Sequence, residues 1–302
     1  MSANSLHISI SAEPIAQVGG LIISNSIFTS LIASALLIGL AFLISSRLKA
    51  SGKPGRLQSM AEMVIEALYG LIYGVTVSKK KARHFFPIIA TFFLFILFNN
   101  WLGLFPGVGT VGYTATESEE HAVLTPSQIE LSSSKVIAAE TAIENDETVL
   151  LDSNLEVTSN ETQDKKSKEI FIPYLRAGTA DLNTTIALAL ISVVMTQVMG
   201  VSYLSLGYFK KFLNFSSPIM FFVGFLEFIS EIGKILSFAF RLFGNIFAGE
   251  VLLAVIAFLV PVIIPMPFYG LEIFVGLIQA LVFALLTTVF FNMATLSHEG
   301  DH

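Results

Sequence analysis

An arginine inside a long apolar run is the first residue of this 302-residue chain that demands a chemical reason. Arg241 lies between Phe240 and Leu242 in the segment 216–260. Its charge at the middle of a bilayer costs roughly 2.5–3.5 kcal/mol on insertion scales. The guanidinium keeps its proton, because its pKa is above about 12. Such a group has to face protein, water or a mobile counter-charge. A permanent cation suits one task well: it attracts a carboxylate and favours the ionised form, so that the carboxylate releases a proton. At about 100° per residue, Glu227, Ser230, Lys234, Ser237, Asn245 and Ala248 fall within about 40° of Arg241 and make a polar stripe. Glu231 lies toward the side of that helix, and Glu250 on the opposite face. No carboxylate of this chain shares Arg241's face within two turns, so the partner carboxylate is expected on another subunit.

The next apolar segment, 269–296, adds an amide and a carboxylate. If it forms an antiparallel hairpin with 216–260 that turns near Pro261, Arg241 and Gln279 lie level, 20 and 18 residues from the turn. Glu250 and Glu272 also lie level, each 11 residues from it. At 1.5 Å rise per residue the two levels are about 13 Å apart. Two carboxylates close together in low dielectric do not ionise independently, which suits a proton relay. The plainer readings are structural: Arg241 paired with Glu227 or Glu231, Gln279 as interhelical glue, and Ser230 and Ser237 as packing residues. Asp181 and Asn183 stand where a helix begins at about 182, so an N-cap explains them most simply.

The elements that must position these residues follow from composition. The chain is 54% hydrophobic and only 13% charged, with mean hydropathy +0.74, whereas soluble domains are about a quarter charged. Several windows exceed the roughly 20 apolar residues that cross a hydrocarbon core, and no alternating segments suggest a β-barrel. The fold class is an all-α polytopic membrane protein. Five crossings are predicted, at about 21–46, 85–105, 182–206, 216–260 and 269–296. An amphipathic helix is predicted over 57–78, with Met60, Val64, Leu68, Leu71 and Val75 on one stripe and Glu62 and Glu66 on another face. Arg47, the first basic residue, follows the first apolar run, so 21–46 reads as a retained helix and not a signal peptide.

Charge divides the chain further. Residues 107–181 carry 14 acidic and 5 basic residues, net −9, which leaves 9 acidic and 12 basic elsewhere, net +3. With that balance nucleic-acid binding is not expected. Lys and Arg gather near 47–56, 79–83 and 210–211, which the positive-inside rule places in the cytoplasm. The organisation is then an outer N-terminal segment 1–20, first helices 21–106, an acidic external loop 107–181, channel-forming helices 182–297 and a cytoplasmic tail 298–302. The Ser-, Thr- and Glu-rich part of the acidic stretch reads as a mobile loop. Its Asn160-Glu161-Thr162, like Asn183-Thr184-Thr185, fits the glycosylation pattern, which matters only in a secretory context. There is no cysteine and no GxxxxGK[ST] loop. No cofactor or metal site is predicted, and the chain is not expected to be an enzyme.

Three stretches carry a specific resemblance. Phe240-Arg241-Leu242-Phe243-Gly244-Asn245-Ile246-Phe247-Ala248-Gly249-Glu250 resembles the signature of F-type ATP synthase subunit a. Ala180-Asp181-Leu182-Asn183 is similar to that family's motif before its fourth helix, and Asn100-Trp101-Leu102-Gly103-Leu104-Phe105-Pro106-Gly107 to the segment leaving the preceding crossing. Glu227, Ser230, Lys234 and Gln279 match in position. The resemblance implies a stator subunit whose last two helices lie tilted against a ring of c subunits, with a b-subunit peripheral stalk and the rest of the F1F0 complex as partners. Arg241 would separate two aqueous half-channels. Glu250 and Glu272 would belong to the outer one, with Asp181 and Asn183 as outer-channel or helix-cap residues. Glu227, Ser230 and Lys234 would line the inner one, and Asn245 and Gln279 would orient groups near the arginine. A bacterial plasma membrane is implied, with the N-terminus outside and the C-terminus in the cytoplasm. Two features depart from the family pattern: Glu272 stands where some members have His, and the insertion at about 113–172 is longer than usual. The alternatives are a membrane anchor and a proton-coupled secondary transporter with Arg241 as an anion site. The latter predicts Gly/Pro-broken helices in both halves, yet Gly244 and Gly249 fall in one helix.

Overall fold

The structure is a computed structural model that describes residues 12–18, 21–48, 55–105, 108, 111–116, 169–205, 207–208, 212, 218–260 and 263–296. Pro106/Gly107, most of the acidic insertion, Lys210/Lys211, Pro261 and the tail Glu299–His302 lie outside these residues. The chain divides into two units, residues 1–113 with 172–302 and residues 114–171.

The first unit holds six helices among the described residues: α1 (Asn25–Arg47), α2 (Arg56–Thr76), α3 (Lys79–Gly103), α4 (Leu182–Leu204), α5 (Pro218–Leu259) and α6 (Pro265–Ala294). All except α2 are long and apolar enough to cross a membrane. Strands β1 (Pro14–Val18) and β2 (Leu21–Ser24) pair antiparallel ahead of α1. The sequence-based helix 21–46 is therefore corrected at its start. Residues 21–24 are extended because Ser24 caps α1, its hydroxyl accepting from the Ile27 N–H; an N-cap residue cannot itself be helical. Strands β3 (Gly112–Thr116) and β4 (Glu169–Pro173) form a second two-stranded sheet. Within the first unit, Tyr174 N–H donates to Val111 O at 3.0 Å, and the Tyr113 and Tyr174 rings lie 5.6 Å apart.

Helix boundaries differ from expectation where prolines and charges sit. α6 starts at Pro265, not 269, because proline at the first helical position loses no intrahelical bond. α3 starts at Lys79, not 85: the basic residues form its first turns. The expected amphipathic stripe of α2 is only partly covered. Leu68, Ile72 and Thr76 are buried, while Met60, Val64 and Leu71 are exposed.

The core is a seam between α3 and α6. Phe85, Ile89 and Ile96 of α3 are fully buried, as are Ala280, Ala284 and Phe291 of α6. Apolar burial drives little association inside a bilayer, so close approach over small residues and buried hydroxyl bonds matter more. Ala280 and Ala284 supply the approach. Ser192 of α4 and Thr287 of α6 supply such a bond, 3.0 Å long. Phe85 meets Phe291 edge-on at 5.4 Å.

Side-chain bonds fix the directions of the helices. Lys81 Nζ donates to Thr295 O, and His84 Nδ1 lies 3.1 Å from the Tyr203 hydroxyl. The start of α3 and the ends of α4 and α6 thus share one end of the bundle, here the basic end. Ser30 Oγ donates to Asn99 Oδ1 and Asn100 Nδ2 to Gly276 O. The starts of α1 and α6 and the end of α3 therefore meet at the opposite end, the strand end. The 42 residues of α5 extend about 63 Å at 1.5 Å per residue, twice a bilayer core of about 30 Å, so α5 is longer than one perpendicular crossing needs.

Candidate functional site

Arg241 lies on the outside of the bundle. Its neighbours Phe238, Ala239 and Leu242 are buried against the other helices, whereas Ser230, Gly233, Ser237, Arg241, Gly244, Asn245 and Ala248 are exposed. A Cβ added at Gly233 or Gly244 would meet nothing within 4 Å. α5 thus presents a smooth outer strip of small and polar residues with one permanent cation. Among the described residues Arg241 has no hydrogen-bond or ion-pair partner. One turn along, Asn245 Nδ2 donates to Gln279 Oε1 at 2.8 Å, and Gln279 is buried. Gln279 therefore tethers the Asn245 amide beside the cation.

Toward the strand end the interior turns polar. Arg176, just before the 3-10 turn Gly178–Ala180, is buried. Its Nε donates to both Glu250 oxygens, at 3.2 and 3.1 Å, and its backbone N–H donates to Thr29 Oγ1. Glu272 is buried too. A Cβ at Gly249 would collide with the Glu272 carboxyl group, so glycine lets that carboxyl lie against the backbone of α5. Thr179 Oγ1 donates to Asn100 Oδ1, and Gly178 fits because a Cβ there would strike Ser30 and Asn99. These groups place several buried polar side chains among α1, α3, α5 and α6 at the strand end.

Asp181 stands at its edge and is 3% exposed. It caps α4 by accepting from Asn183 N–H at 3.2 Å, and it accepts from Ser26 Oγ of α1 at 3.0 Å. Asp181→Ala is expected to cost about 1–2 kcal/mol, the loss of a cap plus a buried bond. A thermal-denaturation midpoint in detergent measures this; Asp181→Asn, which keeps a capping oxygen, should lose less.

Toward the basic end, Glu231 is buried and Lys234 Nζ lies 2.7 Å from its Oε1. The Lys234 amine also sits 5.0 Å over the Phe290 ring of α6. Glu227 is half-buried and Ser230 exposed. After α4, the buried Tyr208 donates to Gln197 Oε1 at 2.6 Å. Burial, aided by the Glu231 and then the Glu227 carboxylates, pushes the Tyr208 hydroxyl up to about 12. It therefore stays protonated at neutral pH.

The pattern that defines the family described as ATP synthase A chain matches residues 27–292. The chain belongs to the ATP synthase A chain family. It is also similar to a protein named ATP synthase subunit a from Gloeobacter violaceus, with 30% identity over 281 residues, 92% of this chain and 86% of that protein. The matched span of the ATP synthase A chain family contains every site residue singled out from the sequence. The structure brings Asn245 to Gln279 and sets Glu272 against Gly249, but it leaves Arg241, Ser230 and the α5 strip facing outward.

Two residues escaped the sequence reading. Arg176 was counted only within the acidic stretch, although it stands five residues before Asp181 in the otherwise uncharged run Ile170–Ala180. A basic residue alone in such a run was the signal. Glu231 was placed to the side of α5, and only the packing against neighbouring helices shows that this side is the buried one.

Proposed function

We propose that this chain is the proton-conducting stator subunit of a rotary F-type ATP synthase, with Arg241 facing a ring of c subunits. One observation carries the reading. A permanent cation without a partner among the described residues lies on the exposed strip of a membrane-spanning helix, where facing lipid is costly. A carboxylate passing on a ring helix meets that need. Beside Arg241 the carboxylate is held ionised and gives up its proton. Rotated away, it takes a proton from the other aqueous path. Because Arg241 keeps its charge, no proton passes directly from one path to the other, and flow is coupled to rotation.

The polar region of Arg176, Glu250, Glu272 and Asp181 suits the outer path, with Glu250 and Glu272 exchanging the proton. Glu227, Ser230 and Lys234 suit the inner path, and the Asn245–Gln279 pair holds the ground beside Arg241. Arg47, Lys79, Lys80, Lys81 and Arg83 collect at the basic end, which favours that end in the cytoplasm and a bacterial plasma membrane as the site. The b-subunit stalk and the rest of the F1F0 complex complete the assembly, and nucleotide chemistry belongs to other subunits.

Because the chain has no cysteine, Gly244→Cys introduces a single thiol on the open strip. Paired with a cysteine at the mid-membrane level of the ring helix, it is expected to give a disulfide-linked product under mild oxidation. The same ring cysteine paired with a thiol at the exposed Leu36 of α1 should give none. Crosslinking at Leu36 and none at Gly244 would place the ring on another face and remove Arg241 from its path.

A further inference from the structure

Between Arg241 and the basic end, α5 carries the ion pair of Lys234 with Glu231, and its geometry links the bundle interior to the outer strip. Lys234 is seven residues from Arg241, which puts its root about 20° from Arg241's direction and about 10 Å along the axis. Its ammonium nevertheless turns inward to the buried Glu231 at 2.7 Å, steadied over the Phe290 ring. Glu231 is ten residues from Arg241, about 80° around the helix. Beyond Glu231, toward the basic end, the buried Tyr208 is close enough to feel the carboxylate and bonds to Gln197. Its ring packs against Gly200, where any Cβ would collide with it, so its hydroxyl has a fixed place. Among the described residues, the titratable groups shown around Glu231 are Lys234 and Glu227 on its own helix and Tyr208 from the segment after α4.

We propose that Glu231 is the proton-carrying group of the basic-end path, with Lys234 as its positioning partner and Tyr208 and Gln197 marking the path's mouth. This rests on the function proposed above and changes which side of α5 the path follows: the buried side, where Phe238 meets Phe283 and Phe290 of α6, not the outer line of Glu227 and Ser230. A proton leaving the Arg241 level is taken up on a Glu231 oxygen as Lys234 swings toward its own side of the helix. Glu231 then yields the proton to water at the mouth, and the ion pair with Lys234 re-forms, so charge balances over the cycle.

The test uses the whole ATP synthase in membrane vesicles, with co-purification of the ring as the check on assembly. Glu231→Gln is expected to slow ATP-driven proton pumping roughly a hundredfold, the lower end of the effect of losing a positioned proton-transfer group. Glu231→Asp should recover most of the rate, which a purely packing role would not require. Because Glu231→Gln alone leaves a buried ammonium, Glu231→Gln/Lys234→Gln is measured beside it and should be equally slow. Wild-type pumping by the assembled double variant overturns the proposal. If neither variant assembles, Gln197→Cys decides: a membrane-impermeant thiol reagent should label it from the basic-end side, and absence of labelling from that side overturns the path. Arg241→Ala in the same vesicles separates the two levels of the argument. A block there with normal pumping in the Glu231 variants sinks only this path, whereas normal pumping in Arg241→Ala sinks the underlying function.

Discussion

Arg241→Ala is expected to abolish ATP-driven proton pumping in vesicles whose complex still contains the ring. The arginine is exposed and has no hydrogen-bond or ion-pair partner among the described residues, and Ala on the open strip of α5 leaves no buried group unsatisfied. The variant should therefore fold and assemble. In the mechanism proposed for this chain, what disappears is the charge that holds a ring carboxylate ionised and bars direct passage between the two paths. With that charge gone, each carboxylate crosses the interface still protonated, and hydrolysis no longer moves net protons. Acidification followed by a pH-sensitive dye should fall to the level of uncoupled membranes. Arg241→Lys should fail nearly as completely, since an ammonium is a compact, strongly hydrated point charge whose proton is lost more easily on burial. Normal pumping by Arg241→Ala in an assembled complex would remove the central element of the mechanism.

Arg176→Leu is expected to have the second-largest effect, and on stability as well as transport. Removing one member of a buried ion pair typically costs about 3–5 kcal/mol. Here the Glu250 side chain retains 38% exposure, so water shares in its solvation and a cost nearer about 2 kcal/mol is expected. Glu250→Gln should also destabilise, because it strands the Arg176 guanidinium, which is 8% exposed. The double variant should recover much of the loss, since neither charge is then left alone. Thermal midpoints of the purified complex read this cycle. Pumping should stay low in all three, because the outer relay lacks either its carboxylate or the cation that orients it. Additive losses in the double variant would show that the two groups are not coupled. Wild-type pumping by Glu250→Gln would take Glu250 out of the relay.

Much of this was legible in the residues themselves, where the bilayer makes sequence and environment nearly equivalent. An apolar run long enough to span has to be a helix, since backbone groups in lipid can be satisfied only within the segment. Five such runs are five helices here. The oddity of Arg241 was equally plain, because a permanent charge in such a run has no inexpensive explanation. Boundaries were less legible: 21–24 reads as apolar helix but is a strand up to the Ser24 cap, and α6 extends back to Pro265, since proline suits a first turn.

Helical periodicity placed Arg241, Ser237 and Asn245 on one face, but a period alone cannot tell which face meets the bundle. Packing decided that: the strip of Arg241 is exposed and the side of Glu231 is buried. Hairpin arithmetic set Glu250 level with Glu272, yet the cation actually bonded to Glu250 is Arg176, 74 residues away in sequence. No local pattern encodes that contact, because it depends on how the segment before α4 folds back over α1 and α5. By itself, then, the sequence determined the membrane helices and the residues whose charge is costly there, through the penalty for unsatisfied polar groups in lipid. Tertiary structure alone decided which of those charges have partners among the described residues and which, like Arg241, have none there, because helix packing and not periodicity sets which faces meet.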